Sequence, residues 1–123
     1  MTSGLRGLRL LVVEDMLLIA ESLSALLREY GCDVVGPVAH LEQGLDLARD
    51  AALDGAILDI NLDGKLCFPI ADTLSARRIP YVFVTGYSED FLPAKYRRIP
   101  RLEKPFEIAD FEQMLLSEFS RAA

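Results

Sequence analysis

The sequence predicts an α/β fold, a doubly wound, five-stranded parallel sheet with helices on both faces. Three observations lead there. Apolar, β-branched runs of strand length alternate with helical stripes along the chain, several runs stop abruptly at a polar residue, and neither an internal repeat nor a long apolar span breaks the alternation. Strands separated by helical crossovers pair in parallel, and the crossovers cover both sides of the sheet.

The first strand is Leu8-Arg9-Leu10-Leu11-Val12-Val13, closed by the two carboxylates of Glu14-Asp15. Leu17, Leu18, Ala20, Leu23, Leu26 and Leu27 then recur at helical spacing, and Gly31 stands where a helix C-cap belongs. Val34-Val35 with Gly36-Pro37-Val38 reads as a short strand, and Leu41, Leu45, Leu47 and Ala48 form a weaker helical stripe. Gly55-Ala56-Ile57-Leu58-Asp59 repeats the opening pattern, an apolar strand ending in a carboxylate. Asn61 to Lys65, with its Asp63-Gly64 pair, reads as a turn, and Ile70 to Arg78 as a helix that stops before Pro80. Tyr81-Val82-Phe83-Val84-Thr85-Gly86 is a strand, Pro100 to Glu103 a brief last strand before Lys104-Pro105, and Phe106 to about Phe119 the final helix. The segment from Gly86 to Arg98 contains Pro93 and the run Tyr87-Ser88-Glu89-Asp90, so the fourth of five helices is expected to be short or irregular.

A chain of 123 residues with 51% hydrophobic content makes one domain and no more. Its expected division is a tail over residues 1–7 and a domain over 8–121. The apolar runs fall far short of the roughly 20 residues that cross a bilayer, and no secretory signal pattern opens the chain, so a cytoplasmic, membrane-free protein is expected. The net charge of −6 argues against a nucleic-acid partner, the only basic cluster being Lys95 to Arg101. Cys32 and Cys67 are too far apart for a metal knuckle and read as reduced packing residues. His40 reads as a surface residue without a role, and Tyr81, Phe83, Phe106 and Phe119 as core.

In an open parallel sheet, loops leaving the carboxyl ends of the strands converge on one crevice. Here those ends carry Glu14-Asp15, Asp59, Thr85 and Lys104. Each has a plain explanation alone: Glu14-Asp15 could cap the following helix, Asp59 could be a turn residue, and Lys104-Pro105 a loop with a solvated amine. Together, at consecutive strand ends, they point to a site. Clustered carboxylates stay ionised only beside a cation, and magnesium, with its preference for hard oxygen ligands and retained waters, is the natural candidate. An amine and a hydroxyl beside it suit the oxygens of a phosphoryl group.

This ordered set, Glu-Asp, Asp, Thr and Lys-Pro, resembles the response regulator receiver domain family, over nearly the whole chain after residue 7. The resemblance implies a flavodoxin-like (βα)5 fold of strand order 2-1-3-4-5. It implies Asp59 as phosphoacceptor, Asp15 as the main carboxylate ligand of Mg2+ with Glu14 helping through water, and the main-chain carbonyl of Asn61 as a further ligand. Thr85 would sense the phosphoryl group, Lys104 would pair with it, and Pro105 would follow a cis bond. The implied donor is a histidine kinase or histidine phosphotransfer protein, and the implied output a downstream protein target, from a monomer or weak dimer. A narrower resemblance, carried by Phe68-Pro69-Ile70-Ala71-Asp72 and by Ile79 to Tyr87, is to the single-domain receivers of alphaproteobacteria called FAT GUY regulators; this chain departs from them with Val84 where Ala is usual. A second departure is Arg101, three positions before the lysine, where receivers bear an aromatic switch residue. The segment 86–101, including Gly86 and Tyr87, is therefore expected to reorder on phosphorylation with Arg101 as a polar part of the switch. Two rival functions are a pseudo-receiver that binds partners without phosphorylation, against which the complete residue set speaks, and a small-molecule phosphatase. The latter needs a second acid close after the nucleophile, where Asn61 stands.

Overall fold

Residues 3–86 and 92–120 are described by a computed structural model of the chain. In order they form β1 (Arg9–Val13), α1 (Leu17–Glu29), β2 (Asp33–Val38), α2 (Leu41–Asp50), β3 (Gly55–Leu58), the short pair β4 (Asn61–Leu62) and β5 (Lys65–Leu66), α3 (Phe68–Ala76), β6 (Tyr81–Thr85), a 3-10 turn (Ala94–Tyr96), β7 (Arg101–Glu103) and α4 (Ile108–Phe119). The main sheet runs β2-β1-β3-β6-β7 with every pairing parallel. With the β4–β5 pair left out of the count, this is the expected order 2-1-3-4-5.

Neighbouring residues on a strand point to opposite faces, so a sheet covered on both sides must be apolar at every position. Leu11, Val13, Leu58 and Phe83 pack with Ile70, Ala71 and Leu74 of α3 on one face, while Leu10, Val12, Ile57 and Val84 pack with Leu23 and Leu27 of α1 and Phe111 and Leu115 of α4 on the other. Phe83 is fully buried and meets Phe68, Tyr81 and Tyr96 edge-on, with centroids 6.3, 5.7 and 6.4 Å away. Truncation of such a ring costs about 3–5 kcal/mol.

The helix ends follow local chemistry. The C-terminus of α1 closes with Cys32 N donating to Leu27 O and Gly31 N to Arg28 O, the double bond pattern that needs a left-handed residue, and Gly31 supplies it at φ 88°. At the end of α3 the same pattern appears, Ile79 N to Leu74 O and Arg78 N to Ser75 O, but the left-handed residue is Arg78 at φ 61°.

Several expectations need correction. The helix expected over Ile70 to Arg78 spans Phe68–Ala76, because Pro69 opens it: proline's fixed φ and missing N–H are harmless in the first turn. Asn61 to Lys65 is more than a turn, being an antiparallel hairpin pairing Asn61 with Leu66 and Leu62 with Lys65. Its two central residues, Asp63 at φ 54° and Gly64 at φ 90°, form the positive-φ turn that Asp-Gly favours. The last helix starts at Ile108 rather than Phe106. Residues 3–7, expected as a tail, are docked: Leu5 is fully buried, Cys32 Sγ donates to its carbonyl at 3.3 Å, and Gly7 N donates to Gly31 O at 2.8 Å.

Between β6 and β7 the described residues contain the 3-10 turn and no α-helix, in line with the irregular fourth helix expected; residues 87–91, with Tyr87, lie outside them. The turn is held to α3. Tyr96 stacks on Phe68 at 4.3 Å and 7°, its hydroxyl donates to Asp72 Oδ1 at 2.8 Å, and Lys95 Nζ reaches the same oxygen at 2.9 Å. The Lys95 ammonium holds the Asp72 carboxyl below its ordinary range. His40 is exposed at the start of α2. Both cysteines are buried free thiols, and burial pushes Cys32 up to about 11 and Cys67 higher still, which keeps them protonated and unreactive.

Candidate functional site

The sheet's hydrogen-bond ladder continues one step beyond the apolar runs and fixes the backbone of the polar residues that end them. Glu14 N donates to Val38 O at 3.0 Å, Asp59 N to Val13 O at 2.9 Å and Lys104 N to Thr85 O at 2.8 Å. The strand order therefore brings residues from positions 14, 59, 85 and 104 to one edge of the sheet. Asp15, Asp59, Asn61, Thr85, Gly86 and Lys104 line a single cleft of about 360 Å³. The Lys104-Pro105 bond is cis, as expected.

Lys104 is the hub of that cleft. Its ammonium donates to Glu14 Oε1 at 2.6 Å and to Asp59 Oδ2 at 3.1 Å. Burial works against the charge on Lys104, and the two carboxylates outweigh it, so its pKa is raised. Glu14 lies deeper than its neighbours at 2% exposure, against 7% for Asp59. Burial pushes its carboxyl up to about 7; the Lys104 ammonium and the Met16 N–H pull it down, and the Asp59 charge adds to the rise. Neither Glu14 nor Asp15 caps α1, whose N-cap is Met16 without a side-chain bond. Glu14 Oε2 instead accepts from Met16 N at 3.1 Å, and Asp15 Oδ2 from Asp63 N at 2.9 Å.

That last bond shows what sequence reasoning missed. The β4–β5 hairpin orients a carboxylate of the site, and Asn61 Oδ1 braces the hairpin by accepting from Gly64 N at 2.7 Å. The Asp63-Gly64 pair was the available signal, since it specifies a hairpin turn, but its contact with a residue 48 positions away was not readable.

Glu14, Asp15 and Asp59 each offer a ligand atom, all within 4.8 Å of one another. Three hard oxygen donors at that spacing, one of them a buried acid with a raised pKa, fit a hard divalent cation that keeps part of its water shell. Thr85, fully buried at the end of β6, lines the same cleft.

Arg101 does not line this cleft. It pairs in register with Phe83, and register partners in parallel strands point the same way, which directs Arg101 to the α3 face. Its Nε is buried and, among the described residues, has no hydrogen-bond partner. No described helix is long and apolar enough to cross a membrane.

Comparison with known proteins agrees with this architecture. The family model of the response regulator receiver domain matches residues 10–116. The transcriptional regulatory protein PdtaR of Mycobacterium tuberculosis is 31% identical over 106 residues, 83% of this chain and 52% of PdtaR. The phyllosphere-induced regulator PhyR of Methylorubrum extorquens is 32% identical over 111 residues, 86% of this chain and 41% of PhyR. The chain thus spans about half the length of the curated relatives it matches. The solution structure of SdrG from Sphingomonas melonis Fr1 superposes with a TM-score of 0.80 at 38% identity, covering 90% of this chain and 95% of SdrG, and SdrG has also been solved in a BeF3-activated conformation. SdrG and PhyR support the narrower resemblance to the alphaproteobacterial subgroup. A parallel sheet of order 2-1-3-4-5, carboxylates at its first and third strand ends and a family match over nearly its whole length place the chain in one group: it belongs to the response regulator receiver domain family.

Proposed function

We propose that Asp59 accepts a phosphoryl group from a phosphohistidine donor, a histidine kinase or a histidine phosphotransfer protein, and that the phosphorylated chain signals through contacts with a downstream protein. The observation that carries this reading is the bond of Lys104 Nζ to Asp59 Oδ2 at 3.1 Å within a cluster of three carboxylates. A structural ion pair needs one carboxylate; here a single ammonium faces two, and a third stands beside them.

In the transfer, an Asp59 carboxylate oxygen attacks phosphorus while the P–N bond to the donor imidazole breaks, and the bonding pair leaves with that nitrogen. Lys104 stays anchored on Glu14 and turns its remaining N–H bonds to the phosphoryl oxygens, whose charge it offsets. Thr85 donates its hydroxyl to another of these oxygens. Glu14, Asp15 and Asp59 would hold Mg2+, with the main-chain carbonyl of Asn61 beside them. When bound, the ion supplies positive charge against the carboxylates and the incoming phosphoryl oxygens. In the reverse half, water attacks phosphorus, Asp59 leaves as a carboxylate, and inorganic phosphate departs.

The switch reading rests on Thr85 at the end of β6, which the segment 86–101 leaves directly. Phosphoryl contacts at Thr85 favour one arrangement of that segment, and Arg101 at its end, whose Nε has no hydrogen-bond partner among the described residues, supplies a polar latch in place of an aromatic one. SdrG, which the chain matches over 95% of its length and which has been solved in a BeF3-activated conformation, supports this reading. The test is transfer of labelled phosphate from purified phosphohistidine donors, with Asp59→Ala as control. Label should reach the wild type and not the variant; label on Asp59→Ala, or none on either with every donor, overturns the reading.

A further inference from the structure

The basic run Lys95 to Arg101 has no part in the crevice chemistry, and the structure divides its charges into two kinds. Lys95 is paired with Asp72 at 2.9 Å, and Arg97 Nε is spent on Leu92 O at 2.9 Å. Nearby on α3, Arg77 donates to Ala48 O at 2.6 Å. Arg78 and Arg98 are different. Both are exposed, both line one cleft of about 420 Å³, and among the described residues neither has a carboxylate within ion-pair distance.

A solvated arginine is ordinary, but Arg78 occupies a position where its side chain is a disadvantage. The α1 and α3 C-termini close with the same two hydrogen bonds, and both need a left-handed residue after the cap. Gly31 fills that place in α1 and Arg78 in α3, at φ 61°. A residue with a Cβ is strained there, and the strain persists at a site that aims a guanidinium into a cleft. The floor of the cleft is apolar, made by Ile79, Ile99 and the ring of Tyr81, 7% exposed, whose hydroxyl accepts from Ser75 Oγ at 3.4 Å. Glu118 stands at its α4 wall, its Oε2 accepting from Ser117 Oγ at 3.3 Å, and repels carboxylates from that side.

We propose that this cleft, between the C-terminal end of α3 and the start of β7, docks an acidic segment of another protein that carries an apolar side chain between carboxylates. Two guanidiniums without an ion-pair partner among the described residues, over an apolar floor, match that chemistry: the apolar side chain enters over Ile79, Ile99 and Tyr81, and the flanking carboxylates take Arg78 and Arg98 in two-point pairs. A nucleic-acid backbone fits less well, because it needs a long run of free cations and only Arg78 and Arg98 line this cleft. Tyr81 and Thr85 begin and end β6, so the cleft lies about 13 Å from the phosphorylation crevice, at the opposite end of the same strand.

The test uses the 15N-labelled full chain and a short fluorescein-labelled peptide of alternating Glu and Leu, at physiological ionic strength. Saturable shifts are expected at Ser75, Arg78, Tyr81 and Ile99. Anisotropy should show binding weakened about tenfold by Arg78→Gly and likewise by Arg98→Gln, with phosphorylation by acetyl phosphate unchanged in both. Arg78→Gly gives the cap its preferred residue and so keeps the fold, which separates lost binding from lost structure. Absence of saturable shifts, shifts centred elsewhere, equal binding of a peptide with Gln in place of Glu, or a poly-uridine oligonucleotide that binds more tightly through the same arginines each overturns the proposal.

Discussion

The two ends of the sheet treat charge in opposite ways. At the carboxyl ends of β1, β3 and β7 the charges are buried and wired to one another: Lys104 bonds two carboxylates, Asp15 is held by the hairpin, and Glu14 is only 2% exposed. At the amino ends of β6 and β7 the charges of Arg78 and Arg98 stand in solvent without counter-ions among the described residues. Burial makes electrostatics strong, so the first end can do chemistry on a small anion. Exposure makes it weak and adaptable, so the second end suits recognition of a larger partner.

The largest effect that would sharpen this contrast is expected from Lys104→Ala. Removal of the one ammonium in the crevice should slow acetyl phosphate labelling roughly 10²–10³-fold, as loss of a charge-stabilising donor does in other sites, whereas Arg98→Gln should leave the rate unchanged. Equal slowing by both would mean that long-range field, rather than the wired contact, governs the chemistry.

Next comes the acid stability of the crevice. The Glu14 carboxyl is raised from 4.5 to about 7, so the folded state binds its proton more tightly than the unfolded chain does. Its contribution to stability is therefore complete below pH 4.5 and is lost as pH rises through about 7. The loss is of the order of 3 kcal/mol. Denaturant unfolding without divalent cations should show wild-type stability falling over that window relative to Glu14→Gln. Saturating magnesium, which favours the ionised carboxylate, should remove the difference. Identical pH profiles for the two proteins would show that Lys104 alone compensates Glu14.

These ends were not equally legible. The crevice could be read because each apolar run of β1, β3 and β6 stops at a polar residue, and parallel topology turns consecutive stops into neighbours. The hairpin's grip on Asp15 could not be read, because the donor is the main-chain N–H of Asp63, 48 positions away, and a main-chain donor carries no residue-type signal. Leu5 was missed because a lone leucine between Gly4 and Arg6 carries no periodic signal, and its burial depends on the α4 and α1 layer that closes over it. The start of α3 was misplaced because the helical stripe was counted from Ile70, whereas Pro69 opens the first turn, where its missing N–H costs nothing. The arginine end was hidden for a different reason. A left-handed cap is announced in sequence by glycine, as at Gly31, and Arg78 gives no such notice.

Two smaller perturbations test those hidden features. Gly64→Ala forces a Cβ into the left-handed region at φ 90°, which should cost about 1–2 kcal/mol and weaken magnesium binding by loosening the hairpin that orients Asp15. An unaltered magnesium affinity would detach the hairpin from the site. Arg78→Gly should do the reverse at the other end, raising stability by about 1 kcal/mol in denaturant melts. A loss of stability there would show that the arginine side chain has a structural duty.

The central claim, that Glu14, Asp15, Asp59 and Lys104 form a phosphoryl-acceptor site, is tested most directly by intact mass spectrometry after incubation with acetyl phosphate. With magnesium the chain should gain the mass of one phosphoryl group, on the peptide containing Asp59, and with a chelator or in Asp59→Ala it should gain none. No gain in magnesium, or an equal gain in the variant, would contradict the account.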